Sequence, residues 1–288
     1  MSQHVAVMGR NGQLAHELQR SKPIDIDAIF CDRQLFDLAR LKKKSFADFL
    51  AEQKITTVVN AAAYTAVDKA EEEEQLATQI NAHAVQTMAE ACADIGIRLI
   101  HVSTDFVFDG ENTQPYTIDD RVNPQSAYGR SKALGEQYLF DALPGATCIR
   151  TGWVYSSHGN NFVKTMLRLM NERDSLNVVA DQIGTPTWAY DLAQFIWHLV
   201  AQPCPGLLHY SNQGICSWYD FACAIQLLGQ QKKRLTTACE ISPIPAAQYP
   251  TPANRPAYSV LNKQAGMEKT GVTIQHWLHA LEKMMNEL

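Results

Sequence analysis

Short apolar runs rich in β-branched residues, at positions 5–8, 28–31, 57–61, 99–103 and 147–151, alternate with stretches of helical period at 14–20, 46–53, 72–95 and 128–142. Such alternation predicts parallel strands joined by crossover helices, and so an α/β protein built on a Rossmann-type doubly wound parallel sheet. Ligands of these sheets bind at the carboxyl ends of the strands. After Tyr155 the rhythm breaks into a polar stretch at 156–161, a helical pattern at 162–171 and a strand-like run at 177–180. A helix at 190–200 and an apolar strand at 207–210 read as a return to the first sheet. The tail carries helical patterns near 219–228 and 274–286, separated by the Pro-rich stretch 243–256. The expected division is a Rossmann domain of 1–155 and 186–212, with a smaller discontinuous domain of 156–185 and 213–288 over the sheet edge.

The strand tips carry the candidate chemistry. Gly9 and Gly12 follow the first strand and open the first helix, in the spacing Gly9-x-x-Gly12-x-x-Ala15. Glycine there permits a tight turn and lets backbone N–H groups approach a pyrophosphate at the positive helix end. Asp32 closes the second strand. A carboxylate at that place accepts from an adenine ribose and favours NAD, whereas Arg33 and Arg10 suit a 2′-phosphate; an ordinary turn aspartate is equally compatible. Asn60-Ala61-Ala62-Ala63 ends the next strand with small residues that leave room for a flat ligand or for close helix packing. Ser103-Thr104-Asp105 places a hydroxyl and a carboxylate at the same edge, where a hydroxyl can stabilise a substrate oxygen that gains charge.

Tyr128 and Lys132 lie four apart in a predicted helix, hence on one face. A phenol beside a fixed cation exchanges a proton with a carbonyl or alcohol more readily, which is acid-base equipment for redox chemistry at carbon. The spacing alone also fits an exposed helix of no chemical role.

Composition narrows the class. With 46% hydrophobic and 19% charged residues among 288, the chain can bury an ample core; this composition argues against long disorder, and no low-complexity tail is visible. A net charge of -5 argues against a general nucleic-acid or acidic-membrane surface. No apolar run is long enough to cross a membrane, and no signal peptide is visible, so a cytoplasmic location is expected. Seven scattered cysteines without a Cys-x-x-Cys pair read as free thiols, and the nine histidines show no metal spacing. The acidic run 71–74 reads as a solvated first helical turn.

Together, Gly9-x-x-Gly12, Asn60-Ala61-Ala62-Ala63, Ser103-Thr104-Asp105 and Tyr128-x-x-x-Lys132 resemble the extended short-chain dehydrogenase/reductase superfamily. Residues 59–71, 103–110, 160–168 and 181–187, with Arg255-Pro256, more narrowly resemble the dTDP-4-dehydrorhamnose reductase family. The resemblance implies NADPH or NADH lying over Gly9, Gly12, Gln13 and Leu14, with contacts near Asp32, Asp37, Leu38, Ala63, Tyr64, Thr65 and Val102. It makes Tyr128 the proton donor. Lys132 would bind the nicotinamide ribose and lower the tyrosine pKa, and Thr104 would assist at the reacting oxygen. Thr104, Asp105 and Trp153 would contact a nucleotide-sugar substrate, though a Trp at a strand end equally fits core packing; Arg255, Lys164 and Arg168 are candidate cations for the anionic ligands, with solvated surface roles as compatible for the latter two. The implied activity is NAD(P)H-dependent reduction of the C4 keto group of dTDP-4-dehydro-L-rhamnose, in the synthesis of dTDP-rhamnose for cell-surface polysaccharide.

Two departures qualify the resemblance. Ala15 stands where the family usually has a third glycine. Some family members bridge a homodimer through Mg2+ held by glutamates; Glu17 and Glu287 resemble two of those positions, but Tyr190 takes the third. No metal is therefore expected, Glu17 and Glu287 read as helix-surface acids, and any homodimer would form by side-chain packing. Other readings stay open on the same fold. A 4,6-dehydratase is disfavoured because Phe106, rather than Glu, follows Asp105, while another nucleotide-sugar reductase or epimerase remains compatible. So does a non-catalytic regulatory subunit resembling the β subunit of methionine adenosyltransferase.

Overall fold

The computed structural model describes residues 3–236 and 239–288; residues 1, 2, 237 and 238 of the expected domain ranges lie outside the described residues. β1 (Gln3–Met8) leads into α1 (Gln13–Arg20), β2 (Ile26–Cys31), α2 (Lys43–Glu52) and β3 (Thr57–Asn60). α3 (Glu74–Thr78) and α4 (Ala84–Ile95) are joined by a π-helical turn, Gln79–His83, and are followed by β4 (Arg98–Thr104), α5 (Ala127–Ala142) and β5 (Thr147–Thr151). Next come β6 (Val154–Tyr155), α6 (Phe162–Glu172), β7 (Ser175–Val179), β8 (Ile183–Gly184), β9 (Thr187–Trp188) and α7 (Ala189–Ala201). β10 (Gly206–His209), β11 (Cys216–Ser217), α8 (Trp218–Gln231), β12 (Glu240–Ile244), α9 (Gln264–Thr270) and α10 (Trp277–Met285) complete the chain.

Six strands form one parallel sheet in the order β2-β1-β3-β4-β5-β10. The chain winds one way from β1 to β2 and the other way from β3 onward, so a crevice opens at the carboxyl ends of β1 and β3. Helices cover both faces, which is why the strands read as nearly continuous apolar runs. Val5 and Val7 pack with Leu14, Leu18, Leu192 and Ile196 of α1 and α7. Ala6 and Met8, on the opposite face, pack with Phe46, Leu50, Met88 and Leu139 of α2, α4 and α5.

A third core joins α6, α8 and α10, with Met166, Met170, Phe221, Ile225, Trp277 and Leu281 at its centre. Its small parallel pair, β7 with β12, tolerates Pro243 because β12 has no second neighbour to receive the missing N–H. Two features depart from the sequence pattern. The continuous helix expected over 72–95 is interrupted by the π-helical turn, and the last helix starts at Trp277 rather than 274. Ile274 instead packs on the sheet with Leu192 and Tyr210, although the expected division places it with the second domain. Among the described residues, no helix is long and apolar enough to cross a membrane.

Candidate active site

The first wall of the crevice is the β1–α1 turn. Gly9 has φ +96 and donates its N–H to Cys31 O at 3.0 Å; a Cβ here would sit 3.0 Å from Ala62. Only glycine lets the loop lie so close to the tip of β3. Gly12 caps α1 with no side-chain hydrogen bond, leaving the first-turn N–H groups for an anionic ligand. Ala15 is wholly buried between α1 and the sheet, so the third small residue serves close packing.

Asp32 does two jobs. Its Oδ1 accepts from the N–H groups of Gln34 and Leu35, both at 3.0 Å, while the residue lines the crevice beside Arg10 and Arg33. A carboxylate fixed there repels a 2′-phosphate, and the two arginines attract one. Asp32→Ala is therefore expected to shift kcat/KM preference toward NADPH over NADH by roughly tenfold. A shift toward NADH would place Asp32 away from the adenine ribose.

The opposite wall is the start of α5, which is pinned from three directions. Ser126 caps it by accepting from Gly129 N at 3.1 Å, and Glu71 Oε1 accepts from Ala127 N at 2.8 Å. Asn81, in the π-helical turn, exchanges hydrogen bonds with the Tyr64 backbone and donates to Ser131 Oγ at 3.0 Å. The absence of a side chain at Gly135 lets the Asn81 carbonyl approach. The acidic run is thus not merely a solvated helix turn: Glu71 holds α5, Glu73 accepts from Tyr64 Oη at 2.8 Å, and Glu74 pairs with Arg130 at 2.9 Å.

Tyr128 is buried beside Phe106, ring centroids 5.6 Å apart. Burial pushes its phenol up to about 12, the nearby Asp105 charge adds to this, and the Thr104 hydroxyl acts the other way. The expected lowering by Lys132 is not what the structure has. Lys132 is itself buried, which brings its ammonium down to about 8, and its Nζ donates to Val102 O at 2.7 Å with His101 Nε2 at 3.2 Å. Tyr128 is thereby kept as a phenol, the form a proton donor needs.

Thr104 ends β4, donates to Asp105 Oδ1 at 3.0 Å and accepts from Phe106 N at 3.2 Å. Burial raises the Asp105 carboxyl to about 6, while hydrogen bonds from Ser259 and Thr104 restrain the rise. A side chain at Gly152 would run into that carboxylate. Trp153, with φ +51, stacks on Trp218 at 3.4 Å and 6°, which fixes an indole at the mouth of the crevice.

One cavity of about 610 Å³ is lined by Gly9, Gly12, Gln13, Leu14, Asp32, Ala63, Thr65, Val102, Thr104, Asp105, Tyr128, Lys132 and Trp153, all of them candidates from the sequence. Four other candidates do not line it. Asp37 accepts from Ala39 N at 3.1 Å, Leu38 is buried under α2 and α4, Tyr64 is held by Glu73, and Arg255 pairs with Asp68 at 2.7 Å. Lys164, which donates to Ser157 O at 3.2 Å, and Arg168, which pairs with Glu172 at 2.6 Å, do not line the cavity either. Sequence reasoning missed the supports behind the cavity. The signal available was Gly129 and Gly135 inside a helix, where glycine is costly unless something packs against it.

Glu17 is not an ordinary surface acid, whereas Glu287 is exposed. Glu17 is wholly buried, accepting from Arg20 Nε at 2.8 Å and Ser156 Oγ at 2.5 Å. Arg20 Nη1 reaches Glu287 Oε1 at 2.9 Å, and its guanidinium lies 4.5 Å over the Tyr190 ring. An internal cation therefore sits between the two carboxylates. Among the described residues, no three His, Cys, Asp or Glu side chains gather as metal ligands would. Arg20→Met strands a buried carboxylate and is expected to cost about 2–3 kcal/mol in urea unfolding, with EDTA changing neither stability nor activity. A loss below about 0.5 kcal/mol would show that the cluster is only a surface ion pair.

A doubly wound sheet with a glycine turn at its switch point, and Tyr and Lys four apart on the facing helix, has the fold of the extended short-chain dehydrogenases/reductases. Residues 3–288 match the family of the RmlD substrate binding domain, and the chain belongs to that family. It is 41% identical over 286 residues to the spore coat polysaccharide biosynthesis protein SpsK of Bacillus subtilis, covering 98% of this chain and 97% of that one. It is 39% identical over 293 residues to dTDP-4-dehydrorhamnose reductase of Sinorhizobium fredii, covering 98% and 96%. Among solved structures, dTDP-4-dehydrorhamnose reductase of Bacillus anthracis in complex with NADP superposes with a TM-score of 0.93 at 34% identity, covering 100% of both chains.

Proposed function

We propose that this chain reduces the C4 keto group of dTDP-4-dehydro-L-rhamnose to dTDP-L-rhamnose with NADPH or NADH. The observation that carries the reading is the convergence of Tyr128, Thr104, Asp105 and Lys132 on one cavity at the switch point, opposite a glycine turn. The residues fit a dinucleotide: the Gly9 turn, held against Ala62 with no side chain between, lines the cavity, and the uncapped end of α1 suits a pyrophosphate. When bound, the dihydronicotinamide supplies a hydride to the carbonyl carbon.

Everything else falls to side chains of this chain. Tyr128 donates its phenolic proton to the C4 oxygen as charge builds there, and burial keeps that proton in place until it is needed. Thr104 hydrogen-bonds at the same oxygen. Lys132 holds the nicotinamide ribose and its charge favours the departing phenolate. Gln13, Leu14, Ala63, Thr65 and Val102 would line the bound cofactor, while Asp37, Leu38 and Tyr64, which do not line the cavity, would act through neighbouring residues. Asp105 and the Trp153 indole position the sugar, and Arg255 would have to leave its ion pair with Asp68 to meet the substrate.

The core of α6, α8 and α10 supports a substrate-binding unit of 156–185 and 213–288 over a cofactor-binding unit of 1–155 and 186–212. The protein works in the cytoplasm, on a small nucleotide sugar, without nucleic acid or membrane; its seven free thiols suit a reducing compartment. Any homodimer packs through side chains, with no metal bridge. Tryptophan fluorescence tests the cofactor half of the reading: NADPH and NADH should both quench it saturably, and failure of both to bind would remove the basis for a reductase.

A further inference from the structure

Behind Lys132 lies a buried polar chain that the reaction as described does not use. His101, wholly buried on β4, has its Nε2 3.2 Å from Lys132 Nζ and its Nδ1 3.0 Å from Asn60 Nδ2. Asn60 sits opposite His101 in the neighbouring strand and is buried too. The orientation of its amide is fixed by a third group, because Asn60 Oδ1 accepts from Ala62 N at 3.1 Å. The amide NH2 must then point at the imidazole. An NH2 only donates, so His101 Nδ1 accepts and the single ring proton of the neutral imidazole lies on Nε2, aimed at the lysine.

An N–H aimed at Nζ suits an amine and opposes an ammonium. For Lys132 to be an ammonium that donates to His101, the ring proton would have to move to Nδ1 and the Asn60 amide would have to turn, giving up Ala62 N at the wall of the cofactor cavity. Two neighbouring groups, Cys148 and Glu136, work the other way and favour the Lys132 charge, though burial outweighs them. β5 brings Cys148 into register, a thiol kept neutral by burial. α5 brings Glu136, which acts on Lys132 and Cys148 and whose carboxylate is already held by Arg150 Nη2 at 2.7 Å and Ser103 Oγ at 2.5 Å. Burial makes His101 itself very hard to protonate, with the Lys132 charge acting in the same direction, so its tautomer is the variable that remains.

We infer that His101, held by Asn60 as the Nε2-protonated imidazole, is a positioning residue that acts through Lys132 and sets the pH at which the site loses its ammonium. The kinetic part rests on the reductase reading above; the tautomer does not. Asn60→Asp inverts the chain, because the new carboxylate accepts from Nδ1–H and leaves Nε2 to accept from the ammonium.

Two measurements test this. In cofactor-free protein labelled with 15N-histidine, two-bond 1H–15N spectra should show His101 protonated on Nε2 in the unmodified chain and on Nδ1 in Asn60→Asp. The resonance is identified by its absence in His101→Leu or, if that variant does not fold, by its displacement in Asn60→Asp. In kinetics, Asn60→Asp should move the alkaline limb of kcat/KM upward by about one pH unit, roughly a tenfold change in the proton equilibrium of Lys132. In a His101→Leu background the same substitution should move it by less than a third as much. A native His101 protonated on Nδ1 would overturn the inference, as would an equal shift in both backgrounds or a drop in kcat at every pH with no movement of the limb. Lack of turnover with the keto sugar would sink the proposed reaction yet leave the spectra to decide the tautomer.

Discussion

Tyr128→Phe is expected to lower kcat by roughly a hundredfold or more while changing the Kd for NADPH less than about twofold. The substitution removes one hydroxyl and keeps the ring that packs at 5.6 Å against Phe106, so the wall of the cavity survives. A group that donates its proton only as charge develops on the C4 oxygen contributes to the transition state and little to the ground state. Because burial holds the phenol up to about 12, the unmodified protein should show no pH limb of tyrosine origin below that value. Stopped-flow turnover with fluorescence titration of the cofactor checks both halves. Near-native kcat in Tyr128→Phe would assign the proton to another donor.

Lys132→Met should lower kcat and weaken cofactor binding together, the former by about a hundredfold and the latter by about tenfold, since one ammonium serves ribose binding and charge stabilisation. Its pH signature separates it from Tyr128. The Lys132 ammonium persists below about 8, so kcat/KM of the parent should fall above that pH, and the limb should be absent from the variant. Stability should move the other way. A lysine whose folded-state pKa is depressed stabilises the fold fully only above its unfolded value, and that contribution is lost as the pH falls through about 8. Lys132→Met should therefore gain about 2 kcal/mol over the parent at pH 7, and the gain should shrink as the pH rises toward ~10. A variant that loses both activity and stability at pH 7 would make Lys132 a packing residue whose hydrogen bond to Val102 O matters more than its charge.

The sheet was legible because its strands are buried on both faces and their apolar runs stand out against the helical period. Gly9, Gly12 and the Tyr128/Lys132 pair were legible because each depends on residue type at short spacing, which sequence displays directly. What stayed hidden depends on distant residues meeting. Nothing local marks His101 as the neighbour of Lys132, since the contact is made by strand register and helix placement, 31 positions apart. Arg20 between Glu17 and Glu287 is hidden in the same way, with the two acids 270 positions apart meeting only when the last helix packs. The direction of the Tyr128 shift was misread for a related reason: a nearby cation was visible in the spacing, but the burial that outweighs it was not.

The central claim is reduction of a nucleotide-linked keto sugar at the switch-point cavity. Following NADPH absorbance on addition of dTDP-4-dehydro-L-rhamnose to the unmodified protein tests it most directly. The expected result is stoichiometric oxidation of NADPH, with dTDP-L-rhamnose as the product and with the rate lowered roughly a hundredfold or more by Tyr128→Phe. Binding of NADPH without its oxidation in the presence of the keto sugar would contradict it and would favour a regulatory protein that keeps the fold of a reductase.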